Sequence, residues 1–327
     1  MGLRVKFIVM MIIIFFSLIP HAKAAWDGPV EIINMIWGSQ PGQVAIKYGD
    51  TEDDFPHIFR IDQNGNTLIG DSGNTRLQIF SSTGALTKII TPIGFPTGII
   101  GWPLQWEILS GAKVLIKRGD KYQIYDYQGN LVNQFTGVAT YIGELVTLSD
   151  DTIVVYKTDT KSYSLYSPTG ALIRTTTDRP LELGKVKEKK TAAGYVYTIQ
   201  YPDITPNTVK TYTVTVARPA KIVTRDKNGN LYITTTGGEH REDETNISKI
   251  YNWFPSDIVY RFDTENRLTG SMQIPDSEHI EEDLYTRPTP KITIIAQYGE
   301  PVISPSGDVY TWKRTPTTYS IIKWTWR

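Results

Sequence analysis

The stretch Asp62-Gln63-Asn64-Gly65-Asn66-Thr67-Leu68-Ile69-Gly70-Asp71-Ser72-Gly73-Asn74-Thr75-Arg76-Leu77-Gln78-Ile79-Phe80 decides the fold. With Phe59-Arg60-Ile61 before it and Ser81-Ser82-Thr83-Gly84-Ala85-Leu86 after it, it reads as an apolar strand, a tight Asn-Gly turn, a second strand, a polar loop and a third strand. A Gly turn and the start of a fourth strand follow. The third strand and its turn recur at fixed offsets: Leu77, Phe80, Gly84, Leu86; Tyr122, Tyr125, Gly129, Leu131; Tyr163, Tyr166, Gly170, Leu172; Val259, Phe262, Asn266, Leu268. The turn positions 84, 129, 170 and 266 are one unit apart, except that the last gap holds two. The degenerate copy is expected in the strand pair around Tyr195–Ile199 and Tyr212–Val216, with its turn replaced by Pro202 to Pro206.

The first hairpin turn recurs as well, at Asn64-Gly65, Ser110-Gly111, Asp150-Asp151, Ala193-Gly194, Asn228-Gly229 and Ser306-Gly307, which counts six units. A two-residue connection between right-twisted strands asks for positive φ, which Asn and Gly supply. Four strands repeated about every 45 residues predict an all-β chain, a six-bladed β-propeller of four-stranded antiparallel blades. Blades packed on both faces account for strands such as Leu77, Ile79 and Phe80, apolar on both sides. A pair of β-sandwiches or an open solenoid would not repeat one third-strand pattern at this spacing.

The same stretch resembles an NHL repeat: an Asp, a Gly turn, a short strand, Asp-x-x-Asn-x-Arg and an apolar-aromatic strand, with Asp71, Asn74 and Arg76 at the matching places. The resemblance covers one unit, residues 58–90; the others share the strand and turn skeleton without that loop. It implies a six-bladed ring, a fold shared by protein- and RNA-binding modules, metal-dependent lactonases and an amidating lyase, and it does not choose among them. Packing is the first role expected of Asp71, Asn74 and Arg76, with the side chains bonding loop backbone; Arg76 is also kept as a ligand contact.

Arg4 and Lys6 precede an apolar run from Phe7 to Phe16, Pro20 breaks it, and Ala22-Lys23-Ala24 offers a signal-peptidase site. Residues 1–24 read as a signal peptide, the run being short of the roughly 20 residues of a membrane span. A single propeller domain then occupies 25–327, in a periplasmic or extracellular compartment. Removing Arg4, Lys6 and Lys23 leaves 31 bases against 34 acids, so no basic field recruits nucleic acid. The chain has no cysteine, which excludes disulfides, thiolate metal sites and a cysteine nucleophile.

The last unit lacks a fourth strand, and Val30–Trp37 or Gln43–Tyr48 can supply it by pairing with Ile321-Ile322-Lys323-Trp324, closing the ring and hiding its edges. Topology sorts the loops. Turns between strands one and two and between three and four share one face, expected to be short and featureless. The longer connections share the other, where binding sites sit on a rigid scaffold. There the linker Thr91–Trp106 offers Trp102 and Trp106 as contacts. Two insertions in the fifth unit, about 235–255 and 275–299, carry Glu239-His240-Arg241-Glu242 and Glu278-His279-Ile280-Glu281-Glu282. His240 and His279 are candidate binding residues, and with Glu242 and Glu282 they form a candidate site for a divalent metal. No cofactor is otherwise indicated.

Gly-x-Ser-x-Gly and phosphate-cradling glycine motifs are absent, and His57, His240 and His279 are the histidines left after signal removal, with no close pair. Acids such as Asp62, Asp71 and Asp226 assemble, if at all, only in three dimensions. Two functions therefore stay open: a binding or scaffold module that engages a protein, peptide or glycan through its long-loop face, and a metal-dependent hydrolase or lyase with a site at the channel mouth. The sequon Asn246-Ile247-Ser248 lies in an insertion.

Overall fold

The computed structural model describes residues 26–48, 53–54, 56, 58–94, 105–138, 142–202, 208–237, 241–246, 249–254, 256–282 and 291–327. Residues 1–24, expected to be a signal peptide, and His57, Trp102 and His240 lie outside these residues. No helix among the described residues is long and apolar enough to cross a membrane.

The chain forms an all-β, six-bladed propeller. Phe59–Ile61, Thr67–Asp71, Arg76–Phe80 and Leu86–Ile90 make the first blade, paired antiparallel in chain order. Gln105–Leu109, Lys113–Arg118, Lys121–Asp126 and Leu131–Thr136 make the second, and Ile142–Thr147, Ile153–Lys157, Ser162–Tyr166 and Leu172–Thr176 the third. The fourth is a three-stranded sheet of Lys185–Thr191, Gly194–Pro202 and Val209–Val216. Its last two strands pair from Tyr195↔Val216 to Pro202↔Val209, the position expected for the degenerate unit. The fifth contains Ala220–Arg225, Leu231–Thr236, Asp257–Phe262 and Leu268–Gln273.

Among the described residues, six apolar cores follow one another round the ring. Leu68, Leu77 and Ile79 of the first blade meet Val114, Ile116 and Tyr125 of the second, and Leu115, Tyr122 and Ile124 meet Ile153, Val155 and Tyr166 of the third. Val154, Tyr163 and Leu165 pack on Leu183, just ahead of the fourth blade. Tyr197, Tyr212 and Val214 meet Leu231, Ile233 and Phe262, and Tyr232, Val259 and Met272 meet Val309, Ile322 and Trp324. The last gap, sixth to first, holds Tyr310, Trp312, Tyr319 and Ile321 against Phe59, Ile69 and Phe80. A blade buried on both faces has no reason to alternate polar and apolar residues, which is why Thr67–Asp71 and Arg76–Phe80 are buried throughout.

The N-terminal strand closes the ring. Trp26–Ile36 pairs antiparallel with Thr318–Trp326, from Trp26↔Trp326 to Ile36↔Thr318, and completes a sixth blade with Val302–Ile303 and Val309–Arg314. The first of the two candidate segments thus supplies the missing strand, and its Ile33 and Met35 are 3% and 2% exposed in the last core.

The recurring turns differ from the two-residue form expected. In Asp62–Asn66, the N–H of Asp62 donates to the Asn66 carbonyl and the N–H of Gly65 donates to the Asp62 carbonyl, with φ +80° at Gly65 alone. The same bonds close Ser81–Ala85, Asp126–Asn130, Leu148–Thr152, Ser167–Ala171, Asp226–Asn230, Asp263–Arg267 and Ser304–Asp308. This is a type I turn followed by one left-handed residue and a bulge, so a single position per turn demands positive φ. Except at Leu148 the first residue is Asp or Ser, whose side chain caps the N–H groups of the next residues, as Asp62 does for Asn64 and Asn66. Ala193–Gly194, read as a first hairpin turn, joins Lys185–Thr191 to Gly194–Pro202, the first two strands of the three-stranded blade.

Candidate functional site

The two fifth-blade insertions are strands, not loops. Arg241–Asn246 and Lys249–Phe254 form a hairpin between the second and third strands of the fifth blade. The hairpin pairs with Ser277–Glu282, which pairs with Lys291–Tyr298, and that last strand pairs through Gln297↔Arg314 and Tyr298↔Lys313 with the sixth blade. The result is one sheet that runs from the N-terminal strand through the sixth blade to Arg241–Asn246 at its free end. Lys291–Tyr298 leads through Gly299 into Val302–Ile303, the first strand of the sixth blade, so this outgrowth is rooted at the ring on the long-loop face. Sequence such as Lys249-Ile250-Tyr251-Asn252-Trp253-Phe254 favours strand over loop, a signal that length and acidity obscured.

The register locates the candidate metal residues. Glu242 and His279 lie on either side of Asn252 in one row of the sheet, while Glu282 falls between Lys249 and Lys291 in a row three residues away. At about 3.3 Å per residue that offset is about 10 Å along the strands. Among the described residues no group of three or more His, Asp or Glu side chains gathers as a metal site.

Arg76 and Trp106 are interior. The Arg76 guanidinium donates from Nε to Asp71 Oδ2 at 2.9 Å and from its two Nη atoms to the carbonyls of Ser39, Gln40 and Gln43. Asn74 donates to the Gly38 carbonyl, Gln78 to the Gln43 carbonyl, and Asp71 accepts from the Ala45 N–H. The NHL-like side chains thus clamp the segment that follows the closing strand. Trp106 belongs to the first strand of the second blade, 2% exposed, with its indole in the space that a Cβ at Gly70 would fill. The Arg60 guanidinium stands 5.8 Å from its ring centre. A side chain so enclosed offers no surface to a ligand, which corrects the expectation of an exposed contact; the strand begins at Gln105, one residue before it.

The tight-turn face, expected to be featureless, holds the mouth of the central channel. A cavity of about 660 Å³ opens there, lined by the first strands of five blades and the turns after them, among them Arg60, Glu107, Thr147, Arg225 and Val302. Its acids are mostly internal. Asp62, Asp151 and Asp226 are 6%, 9% and 4% exposed. Asp62 accepts from the N–H of Asn64 and Asn66 and from the Asn66 amide. Asp226 does the same with Asn228 and Asn230 and also accepts from the Tyr232 hydroxyl. Asp151 accepts from both the N–H and the hydroxyl of Ser110, tying the third blade to the second. Tyr127 is partly buried beside Asp62, and burial first, then that carboxylate, pushes its pKa up.

The bases differ. Arg60 is held by Glu107 through Nε and Nη2, the latter at 2.7 Å. Arg225 spends one donor on the Pro202 carbonyl at 3.0 Å and stacks 5.0 Å above the Tyr201 ring. The Tyr201 pKa is pushed up to about 12 by burial, against the opposing pull of Arg225. Lys227 is exposed at the lip, its N–H donating to the Pro305 carbonyl across to the sixth blade. Sequence reasoning missed this site because it is assembled from five blades; the one local hint is the base beside each Asp-x-Asn-Gly-Asn turn, Arg60 and Arg225.

No family model and no curated protein matches the chain. Among solved structures, the chain is similar to a streptogramin B lyase, with 14% identity over 82% of this chain and 78% of that one and a TM-score of 0.40. It is similar to a catalytically inactive virginiamycin B lyase from Staphylococcus aureus with quinupristin, with 10% identity, 86% and 98% coverage and a TM-score of 0.44. It is also similar to the RRP9 WD40 repeats, with 11% identity, 92% and 100% coverage and a TM-score of 0.46. Likenesses this distant carry no argument about activity.

Proposed function

We propose that the protein is an exported binding module, a closed propeller ring that holds out an antiparallel sheet to engage a protein, peptide or glycan on the long-loop face. The observation that carries this is the fusion of the two insertions into one sheet continuous with the sixth blade. A sheet anchored in a rigid ring is preorganised for binding in a way that two separate loops are not. Among the described residues its terminal strand, Arg241–Asn246, is paired on one side only, the arrangement to which an extended partner chain adds. Export rests on the leader in residues 1–24, and N-terminal sequencing of the mature protein is expected to begin near Ala25.

The test is excision. Residues 238–255 are replaced by Gly-Gly, and the variant is compared with the parent on immobilised peptide and glycan arrays. Binding by the parent that disappears in the variant, with the ring's melting transition retained, is the expected result. Binding unchanged by the excision contradicts the reading.

A further inference from the structure

We propose that the tight-turn mouth of the channel is a second binding site, for a small organic molecule bearing an oxyanion such as a carboxylate or phosphate. The volume of about 660 Å³ is in the range of small-molecule sites, roughly 300–1,000 Å³. What selects an anion is which charges a ligand can touch.

Counted by residue type the lining is nearly balanced, with Arg60, Arg225 and Lys227 against Asp62, Glu107, Asp151 and Asp226. Counted by access it is not. Asp62, Asp151 and Asp226 face into their own turns or a neighbouring blade, with oxygens occupied by backbone N–H, amide or hydroxyl donors. Glu107, 13% exposed at its side chain, is matched by Arg60. Among the described residues no carboxylate pairs with Arg225 or Lys227.

Arg225 is also built for the task. Its stacking on Tyr201 and its bond to the Pro202 carbonyl fix the guanidinium plane, and among the described residues that bond is its one hydrogen bond, which leaves donors for bidentate contact with a planar oxyanion. Tyr201 is itself held by donating its hydroxyl to the Val223 carbonyl at 3.2 Å, so the support is anchored in the same inner strand that carries Arg225. Lys227 adds a second, exposed charge at the lip, two residues along the same turn. A ligand between them is thereby oriented with its charged end toward the fifth blade and its neutral body toward the apolar lining of Ile108, Leu109 and Val302.

The site is on the opposite face from the outgrowth, so the Gly-Gly excision that tests the proposed function leaves it intact and the two readings fail separately. The experiment is isothermal titration of the full mature chain with glucuronate, glucose 6-phosphate and glucose, in low and high salt. At least one anionic sugar is expected to bind with neutral glucose silent, and affinity is expected to fall with salt. Glucuronate alone marks a carboxylate ligand, glucose 6-phosphate alone a phosphate ligand, and both together the shared oxyanion chemistry.

Lys227→Ala, at an exposed position, is expected to keep the parent melting temperature and weaken binding about 5- to 10-fold. Arg225→Gln is expected to weaken it at least 10-fold. Binding of glucose equal to that of the acids, no binding of either acid at millimolar concentration, or parent affinity in Lys227→Ala would each overturn the proposal, whether or not Arg225→Gln folds.

Discussion

Arg76 Nε lies 2.9 Å from Asp71 Oδ2, in a pair whose carboxylate is fully buried and whose guanidinium is 10% exposed. The pair joins the second and third strands of the first blade to the 38–45 segment, and it couples blade to closure. Removing the guanidinium strands a buried charge and frees the carbonyls of Ser39, Gln40 and Gln43. Arg76→Ala is therefore expected to cost about 3–5 kcal/mol in chemical denaturation. Arg76→Lys is expected to recover less than half, since an ammonium cannot reproduce the planar fork. A loss under about 1 kcal/mol would show that the clamp is dispensable.

Closure by the N-terminal strand makes a second prediction. Deleting residues 25–48 removes Ile33, Met35 and Val44 from the last core and opens the sheet edge at Thr318–Trp326. A fall in melting temperature of about 10 °C or more, with aggregation through the exposed edge, is expected. An unchanged transition would mean that the ring closes without this strand.

Gly84 tests the same seam from the other side. It has φ +84°, and a Cβ there would run into the carbonyl oxygen of Ile32 in the closing strand. Gly84→Ala is expected to cost roughly 2–4 kcal/mol and to speed hydrogen exchange in residues 26–36 more than in the second or third blade. Equal exchange across the blades would contradict the contact.

The hydroxyl of Tyr319 is buried with no hydrogen-bond partner among the described residues, and burial first, then the Asp71 charge, raises its pKa. Removing an unpaired buried polar atom relieves a desolvation cost, so Tyr319→Phe is expected to stabilise by about 1 kcal/mol in urea unfolding. A loss of stability would reveal a partner for the hydroxyl.

Tyrosine burial also sets an alkaline limit. Tyr122, Tyr127, Tyr201, Tyr232 and Tyr319 all have pKa values raised, chiefly by burial, Tyr201 to about 12. Above about pH 10 the unfolded chain loses these protons while the folded one keeps them. Their stabilising contribution is whole below that pH and is lost as pH rises through the folded values, at up to about 1.4 kcal/mol per pH unit per residue. Urea midpoints measured from pH 8 to 11.5 are expected to be level at first and then to fall steeply, with tyrosinate absorbance appearing only as unfolding occurs. Ionisation without unfolding near pH 10 would count against the burial.

Much of the ring was legible because a propeller writes its unit locally: Leu77, Phe80, Gly84 and their counterparts recur at one spacing, and the lone N-terminal strand answers a missing fourth strand. The turn form was not, since Asn64-Gly65 looks the same in a two-residue hairpin as in the five-residue turn that Asp62 caps. Trp106 was misplaced because Pro103-Leu104 reads as linker up to the residue where the inner strand starts. The insertions were seen as acidic loops, although their register sets Glu282 between Lys249 and Lys291. The channel mouth left almost no trace, because Arg60, Glu107 and Arg225 come from three blades and only closure brings them together.

The outgrowth is the centre of the account, and photo-crosslinking in the living source cell tests it most directly. A benzophenone amino acid is placed at Glu244 on the terminal strand and, in separate variants, at Thr83 and Lys88 on the first blade. Defined covalent adducts are expected from position 244 and none from positions 83 and 88. Adducts confined to the first-blade positions, or none from 244 in a protein that is folded and exported, would contradict it.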